Sequence, residues 1–138
     1  MNPNPGQPTP EQQVIIDDQV HDLDRVQRSW NDAFAAVPPR IRNDRLYQEQ
    51  SDLLDHVRDS VKAQQPGLAV LQLVAFELVV GSQREKVIDA DYKREVIHQT
   101  TDLRIKLERL YAGRPSIMGC AHMVLPSAAI SMNMQVKK

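Results

Sequence analysis

An apolar stretch between Gly67 and Gly81 constrains this chain more than any other segment. Of the thirteen residues between the two glycines, only Gln72 and Glu77 are polar. A membrane-spanning helix needs about 20 consecutive apolar residues, so this stretch is too short to cross a bilayer. A helix that is apolar on all sides is typical of the interior of a globular protein. We therefore expect residues 68–80 to form a central helix 3 with partners on every face.

A β-strand competes with a helix for this stretch, because several of its valines are β-branched. Length favours the helix, since thirteen residues is long for a strand. The sequence after Gly81 has the S-x-x-E pattern of a capping box, from Ser82 to Glu85, and it predicts a turn followed by a helix 4 that ends near Tyr111. The alternative is one long kinked helix, because a single glycine costs only about 1 kcal/mol.

Two amphipathic helices precede the apolar stretch. Thr9, Pro10 and Gln12 form a T-x-x-Q capping box with proline at the first helical position, so helix 1 should begin there. Its apolar residues keep helical spacing to about Val37, where Pro38–Pro39 ends the helix. The apolar line of helix 1 is Ile16, Val20, Leu23, Trp30 and Phe34.

Helix 2 should restart near Pro39 or Asn43 and stop before the breaker Pro66–Gly67. Together these patterns predict an all-α four-helix bundle over residues 10–112. An extended, proline-rich arm over residues 1–9 would precede it, and a C-terminal extension over residues 113–138 would follow it.

Composition fits one ordinary globular domain of 138 residues. The hydrophobic content is 41%, the charged content is 25% and the net charge is −1, so no overall field attracts nucleic acid or an anionic membrane. Cys120 is the only cysteine, which excludes an intrachain disulfide and indicates a reducing compartment. The N-terminus lacks the basic and apolar regions of a signal peptide. We expect a cytoplasmic protein, or part of an assembly built in the cytoplasm.

The C-terminal extension differs in character from the bundle. Within residues 129–136, apolar and polar residues alternate from Ile130 onwards, as in a β-strand with one apolar face. That face would present Ile130, Met132, Met134 and Val136, our candidate partner-binding residues. The strand would either pair with a sheet in another subunit, or form a hairpin with Ile117–Leu125 that covers the bundle.

Carboxylate–histidine pairs at i, i+3 spacing raise the question of a metal site, because ferritin-like di-iron bundles use this spacing. The pairs are Asp18–His21 on helix 1 and Glu95–His98 on helix 4, with Asp55–His56 on helix 2 and Glu77 on helix 3 as further groups. On a helical wheel Asp18 and His21 lie about 150° from the centre of their apolar line. Glu95 and His98 lie about 80° and 140° from theirs. Ligands must point inward, so we expect no metal and no cofactor.

Other charged and reactive groups have structural explanations. Glu77 should pair with a neighbouring arginine or reach the surface, because a lone buried carboxylate costs several kcal/mol. Arg40, Arg42 and Arg45 cluster at the junction of helices 1 and 2. They are candidate anion contacts, although solvated faces explain them more simply. Cys120 with nearby His122 lacks the third orienting group of a nucleophilic site.

The sequence contains none of the common catalytic or nucleotide-binding motifs. We therefore expect a non-enzymatic protein: an adaptor, chaperone or structural subunit that binds a protein partner or forms a homo-oligomer, without a membrane. One alternative is a ligand- or metal-binding bundle or small enzyme. The other, a nucleic-acid-binding helical protein, is disfavoured by the charge balance.

Overall fold

A computed structural model describes residues 8–112, and these residues form a bundle of four helices. The helices are α1 (Pro10–Ala35), α2 (Asp44–Lys62), α3 (Pro66–Gly81) and α4 (Ala90–Ala112). The predicted all-α four-helix bundle is thus confirmed. The predicted C-terminal extension, and all but the last two residues of the predicted N-terminal arm, lie outside the described residues.

Local capping signals set the starts of the first two helices as predicted. The Thr9 hydroxyl accepts a hydrogen bond from the Gln12 amide at 3.2 Å, and the Gln12 side chain accepts one from the Thr9 amide at 2.8 Å. These bonds satisfy two amide groups that the first helical turn leaves without partners. The Asn43 side chain caps α2 in the same way, accepting from the Leu46 amide at 2.8 Å.

The predicted capping box at Ser82 is wrong, because α4 begins only at Ala90. The Ser82 hydroxyl instead donates to the Val79 carbonyl at 2.8 Å. The connection after α3 pairs with the connection after α1 through an antiparallel bridge between Ile41 and Ile88. Both isoleucines are fully buried, so core burial and backbone pairing hold this segment out of a helix. Helices α3 and α4 are therefore separate helices.

Each helix has two neighbours. Helices α1 and α3 both adjoin α2 and α4, and they lie diagonally across the bundle from one another. At least one polar side-chain contact joins each neighbouring pair. These contacts are Arg58–Asp24 for α1 and α2 at 2.6 Å, Ser60–Gln72 for α2 and α3 at 2.8 Å, Arg104–Glu77 for α3 and α4 at 3.1 Å, and Lys106–Asp22 for α4 and α1 at 2.9 Å.

Trp30 lies at the centre of the core, as predicted, and is fully buried. Its ring centroid is 5.3 Å from that of Phe76, 6.3 Å from that of Tyr92 and 6.4 Å from that of Tyr47. The indole N–H donates to the Tyr47 carbonyl at 3.1 Å, so the buried donor is satisfied. A single side chain of α1 thus contacts all three other helices.

Among residues 8–112, α3 has partners on two sides, whereas partners on every face were expected. Its fully buried side chains, Ala69, Leu73, Phe76 and Val80, follow one face that points to the core. The opposite face of α3 does not pack against the core of the described bundle. The reason is geometric: a helix at the corner of a four-helix square adjoins only two others.

Truncation of Phe76 should therefore cost far more stability than truncation on the opposite face. We expect Phe76→Ala to lower the free energy of unfolding by about 3–5 kcal/mol, because it empties a site against Trp30. Leu71 is half-buried, so Leu71→Ala should lower the free energy of unfolding by only about 1 kcal/mol. Urea melts of both variants measure the difference, and equal losses would contradict the orientation of α3.

The protein should also lose stability at alkaline pH through Tyr92. Burial raises the pKa of this phenol, whereas an unfolded tyrosine ionises near pH 10. Above about pH 10 the unfolded state releases the Tyr92 proton and the folded state keeps it, so the free energy of unfolding falls as the pH rises. Urea melts between about pH 9 and pH 11 should show a smaller decline in Tyr92→Phe, and an unchanged decline would refute this assignment.

Candidate protein-interaction surface

The outward face of α3 carries a continuous line of apolar side chains. Leu68, Leu71, Ala75 and Leu78 recur at spacings of three and four residues, and Val74 flanks them. We call these five residues the outer strip. Leu68 is 41% exposed and the other four are partly exposed. None belongs to the core or to the side chains packed directly against it.

The one charged residue of α3, Glu77, turns away from the outer strip and towards α4. Its carboxylate accepts two hydrogen bonds from Arg104, at 3.1 and 3.2 Å, and one from the Thr101 hydroxyl at 3.2 Å. The Glu77 side chain is 13% exposed, and its hydrogen bond is the main reason that the pKa of Arg104 is raised. The predicted pairing of Glu77 with an arginine is confirmed, and it removes the charge from the outer face.

The other polar residue within the apolar stretch, Gln72, turns towards α2. Its carbonyl oxygen accepts a hydrogen bond from the Ser60 hydroxyl at 2.8 Å, and Ser60 is buried. Both polar groups of the stretch are therefore used between helices. This leaves the outward face of α3 apolar, which is the reverse of an ordinary amphipathic surface helix.

Helix α4 carries an exposed apolar residue, Ile105. Ile105 is 39% exposed and lies one helical turn beyond Thr101, whose hydroxyl contacts Glu77 of α3. Contiguous apolar surface of this kind, when it exceeds a few hundred Å², typically marks an interaction site.

The predicted carboxylate–histidine pairs point outward. Asp18, His21, Glu95 and His98 are all exposed, in agreement with the helical-wheel analysis. His98 lies 3.5 Å from Asp102 on its own helix. Within residues 8–112, no three side chains of His, Cys, Asp or Glu group closely enough to hold a metal ion.

The three clustered arginines are exposed and have separate contacts. Arg40 lies over the Tyr92 ring at 6.0 Å from its centroid, Arg42 donates to the Glu85 carbonyl at 2.7 Å, and Arg45 pairs with Glu49 at 2.9 Å. Their role as anion contacts stays a prediction. Between α1 and α4, a groove of about 820 Å³ open to solvent is lined by Ser29, Asp32, Arg40, Tyr92, Glu95 and Gln99.

The predicted partner-binding strand lies outside the described residues, so the roles of Ile130, Met132, Met134 and Val136 stay predictions. Sequence reasoning missed the outer strip, because an all-round apolar helix suggested all-round burial. The 3-4-3 spacing from Leu68 to Leu78 was the available signal, since this spacing is typical of helix pairing.

Comparisons with known proteins identify no relative. No protein-family model matches the chain, and neither the curated proteins nor the solved structures contain a match. Among the helices described here, none is long and apolar enough to cross a membrane.

The Glu77–Arg104 pair should stabilise the packing of α3 on α4. Removing one partner leaves the other largely buried without its counter-charge, so Glu77→Gln and Arg104→Met should each lower the free energy of unfolding by about 1–3 kcal/mol. The double variant should lose less free energy of unfolding than the two single variants lose together, because the two residues are coupled.

Urea melts of the two single variants and the double variant measure this coupling. The exposed pair Arg45–Glu49 offers a matched control, and Glu49→Gln should leave the unfolding midpoint unchanged. Additive losses at Glu77 and Arg104 would show that the pair is not coupled.

Proposed function

We propose that this protein is a non-enzymatic assembly subunit that pairs with a second copy of itself through the outer strip of α3. The observation that carries the proposal is an apolar helix face that lies outside the core while both polar residues of the apolar stretch turn inward. Burying such a face against protein removes its apolar area from water, which is favourable.

The order of residues along the strip favours a second copy as the partner. Ala75 lies four residues after Leu71 and three residues before Leu78. Two α3 helices in antiparallel order with Ala75 opposite Ala75 place Leu71 within one residue of the position opposite Leu78. Such a strip is self-complementary, as a two-fold interface requires. The small side chain at the centre allows the helices to approach closely.

Charge also favours self-pairing. The strip contains no charged side chain, and depletion of charge is typical of the core of a protein interface. Two copies can thus meet along α3 without like-charge repulsion within the strip.

The size of the strip predicts a weak dimer. A helix of 16 residues is about 24 Å long, and a strip about 10 Å wide covers far less than the roughly 800 Å² per partner of a standard interface. We therefore expect monomers and dimers to exchange in a concentration-dependent way.

Sedimentation velocity over a wide range of concentrations tests the proposal. The wild-type protein should move from its monomer mass of 15.7 kDa towards twice that value as the concentration rises. Leu71→Glu and Leu78→Glu should stay monomeric with unchanged helical circular dichroism. Val37→Glu is the matched control, because Val37 is 96% exposed in the connection after α1, and it should dimerise like the wild type.

Cysteine cross-linking tests the two-fold register. In a Cys120→Ser background, Ala75→Cys should form a disulfide-linked homodimer under mild oxidation, whereas Asp52→Cys on the exposed face of α2 should not. A protein that remains monomeric at every concentration, or that cross-links equally at both positions, would overturn the proposal.

A further inference from the structure

The groove between α1 and α4 lies where α1 presents small side chains to its neighbour. Ser29, Ala33 and Ala36 recur at spacings of four and three residues and line the α1 wall. The α4 wall is formed by longer side chains, namely Tyr92, Glu95 and Gln99. Because the short α1 side chains do not fill the space between the two helices, about 820 Å³ stays open to solvent. Binding sites for small molecules typically occupy about 300–1,000 Å³.

Tyr92 gives this groove a fixed floor. The residue is 2% exposed, and its hydroxyl lies 3.0 Å from the Ser29 hydroxyl on the opposite helix. The Arg40 guanidinium lies over the ring, 6.0 Å from its centroid, which is a cation–π distance. Arg40 belongs to the connection after α1, so this contact places a positive charge at one end of the groove.

Two carboxylates line the same groove, Asp32 from α1 and Glu95 from α4. Burial is the main reason that the pKa of Tyr92 is raised; Glu95 and Asp32 add to the rise, whereas Arg40 opposes it. All three charges therefore lie near the phenol. All three side chains are exposed, and within residues 8–112 none of them forms an ion pair. The groove thus presents both signs of charge without direct neutralisation.

A second cavity between α1 and α4 shows the opposite arrangement. Its lining includes charged groups that pair with one another: the Lys106 ammonium lies 2.9 Å from the Asp22 carboxylate, and the Arg25 guanidinium lies 3.3 Å from the same carboxylate. The groove at Tyr92 instead keeps its charged groups apart. These groups can pair with charges of opposite sign on a ligand.

We propose that the groove at Tyr92 binds a small zwitterion that carries a primary ammonium group and a carboxylate. The ammonium group donates to Asp32 and Glu95, and the carboxylate accepts from the Arg40 guanidinium. A simple amine is repelled by Arg40, and a simple carboxylate is repelled by Asp32 and Glu95. No residue of the outer strip lines this groove, so this binding is independent of the proposed pairing through α3.

The exposure of the three charged side chains sets the strength of this binding. Water and dissolved ions screen contacts between exposed charges. We therefore expect weak binding that falls as the ionic strength rises.

Titrations followed by amide NMR spectra of the full-length protein at neutral pH test this proposal. Glycine, γ-aminobutyrate and ε-aminocaproate place the two charges at increasing separations. At least one of them should shift the amides of Ser29, Asp32, Glu95 and Gln99 in a saturable way. Butylamine and butyrate carry one charge each and should bind at least about tenfold more weakly, because each lacks one charged contact.

Three outcomes of these titrations would overturn the proposal. They are the absence of a saturable shift with every zwitterion, equal binding of the single-charge compounds, and shifts that the same concentration of sodium chloride reproduces. The last outcome would mean that the groove holds only solvated charges.

Variants show which side chain binds which charge. Arg40→Gln should weaken binding of the best zwitterion at least about tenfold and should not weaken binding of butylamine. Glu95→Gln should weaken the zwitterion to a similar extent and should not weaken butyrate. Helical circular dichroism should stay unchanged in both, because both side chains are exposed.

Matched controls remove exposed charges outside the groove. Arg45→Gln and Glu85→Gln alter side chains that are exposed and do not line it, so both variants should bind the zwitterion like the wild type. Arg40→Gln and Glu95→Gln variants that keep wild-type affinity, or controls that lose as much, would refute the assignment of these two contacts.

Discussion

The packing of Trp30 determines the arrangement of the whole bundle. This one side chain of α1 contacts Tyr47 of α2, Phe76 of α3 and Tyr92 of α4, and its N–H is satisfied by a backbone carbonyl. Because α1 and α3 lie diagonally across the core, where Trp30 packs against Phe76, each keeps one side turned away from the centre. For α1 that side is charged, as expected for a surface helix. For α3 it is apolar, and this difference gives the molecule its most distinctive surface.

The two polar residues of the apolar stretch explain how such a surface arises without a buried unpaired charge. Gln72 and Glu77 lie on opposite flanks of α3, where Ser60 of α2 and Arg104 of α4 provide a hydrogen-bonding hydroxyl and a counter-charge. Both groups stabilise contacts between helices at the edges of the core. The remaining positions on the outward face are apolar, so exposing them to water is unfavourable. That imbalance is the basis of the assembly role that we propose.

The outer strip begins at the end of α3 where a mostly apolar pocket opens between the helices. Pro66 lines the pocket and Leu68, two residues later, begins the strip. Helix α4 ends at this end of the bundle, since it runs antiparallel to α3 with Arg104 beside Glu77 and Ile97 beside Gly81.

The sequence by itself determined the features that depend on neighbouring residues. The capping box at Thr9, the proline stops and the inward position of Trp30 were predictable, because each rests on bonds or periodicity within a few turns. For Glu77 the sequence left two outcomes open, an arginine partner or exposure at the surface, and the structure shows the arginine partner. The tertiary structure alone decided which arginine it is, where α4 begins and which face of α3 stays outside the core. These features arise from contacts between distant segments, such as Ile41 with Ile88, and from the limit that a corner helix adjoins only two others.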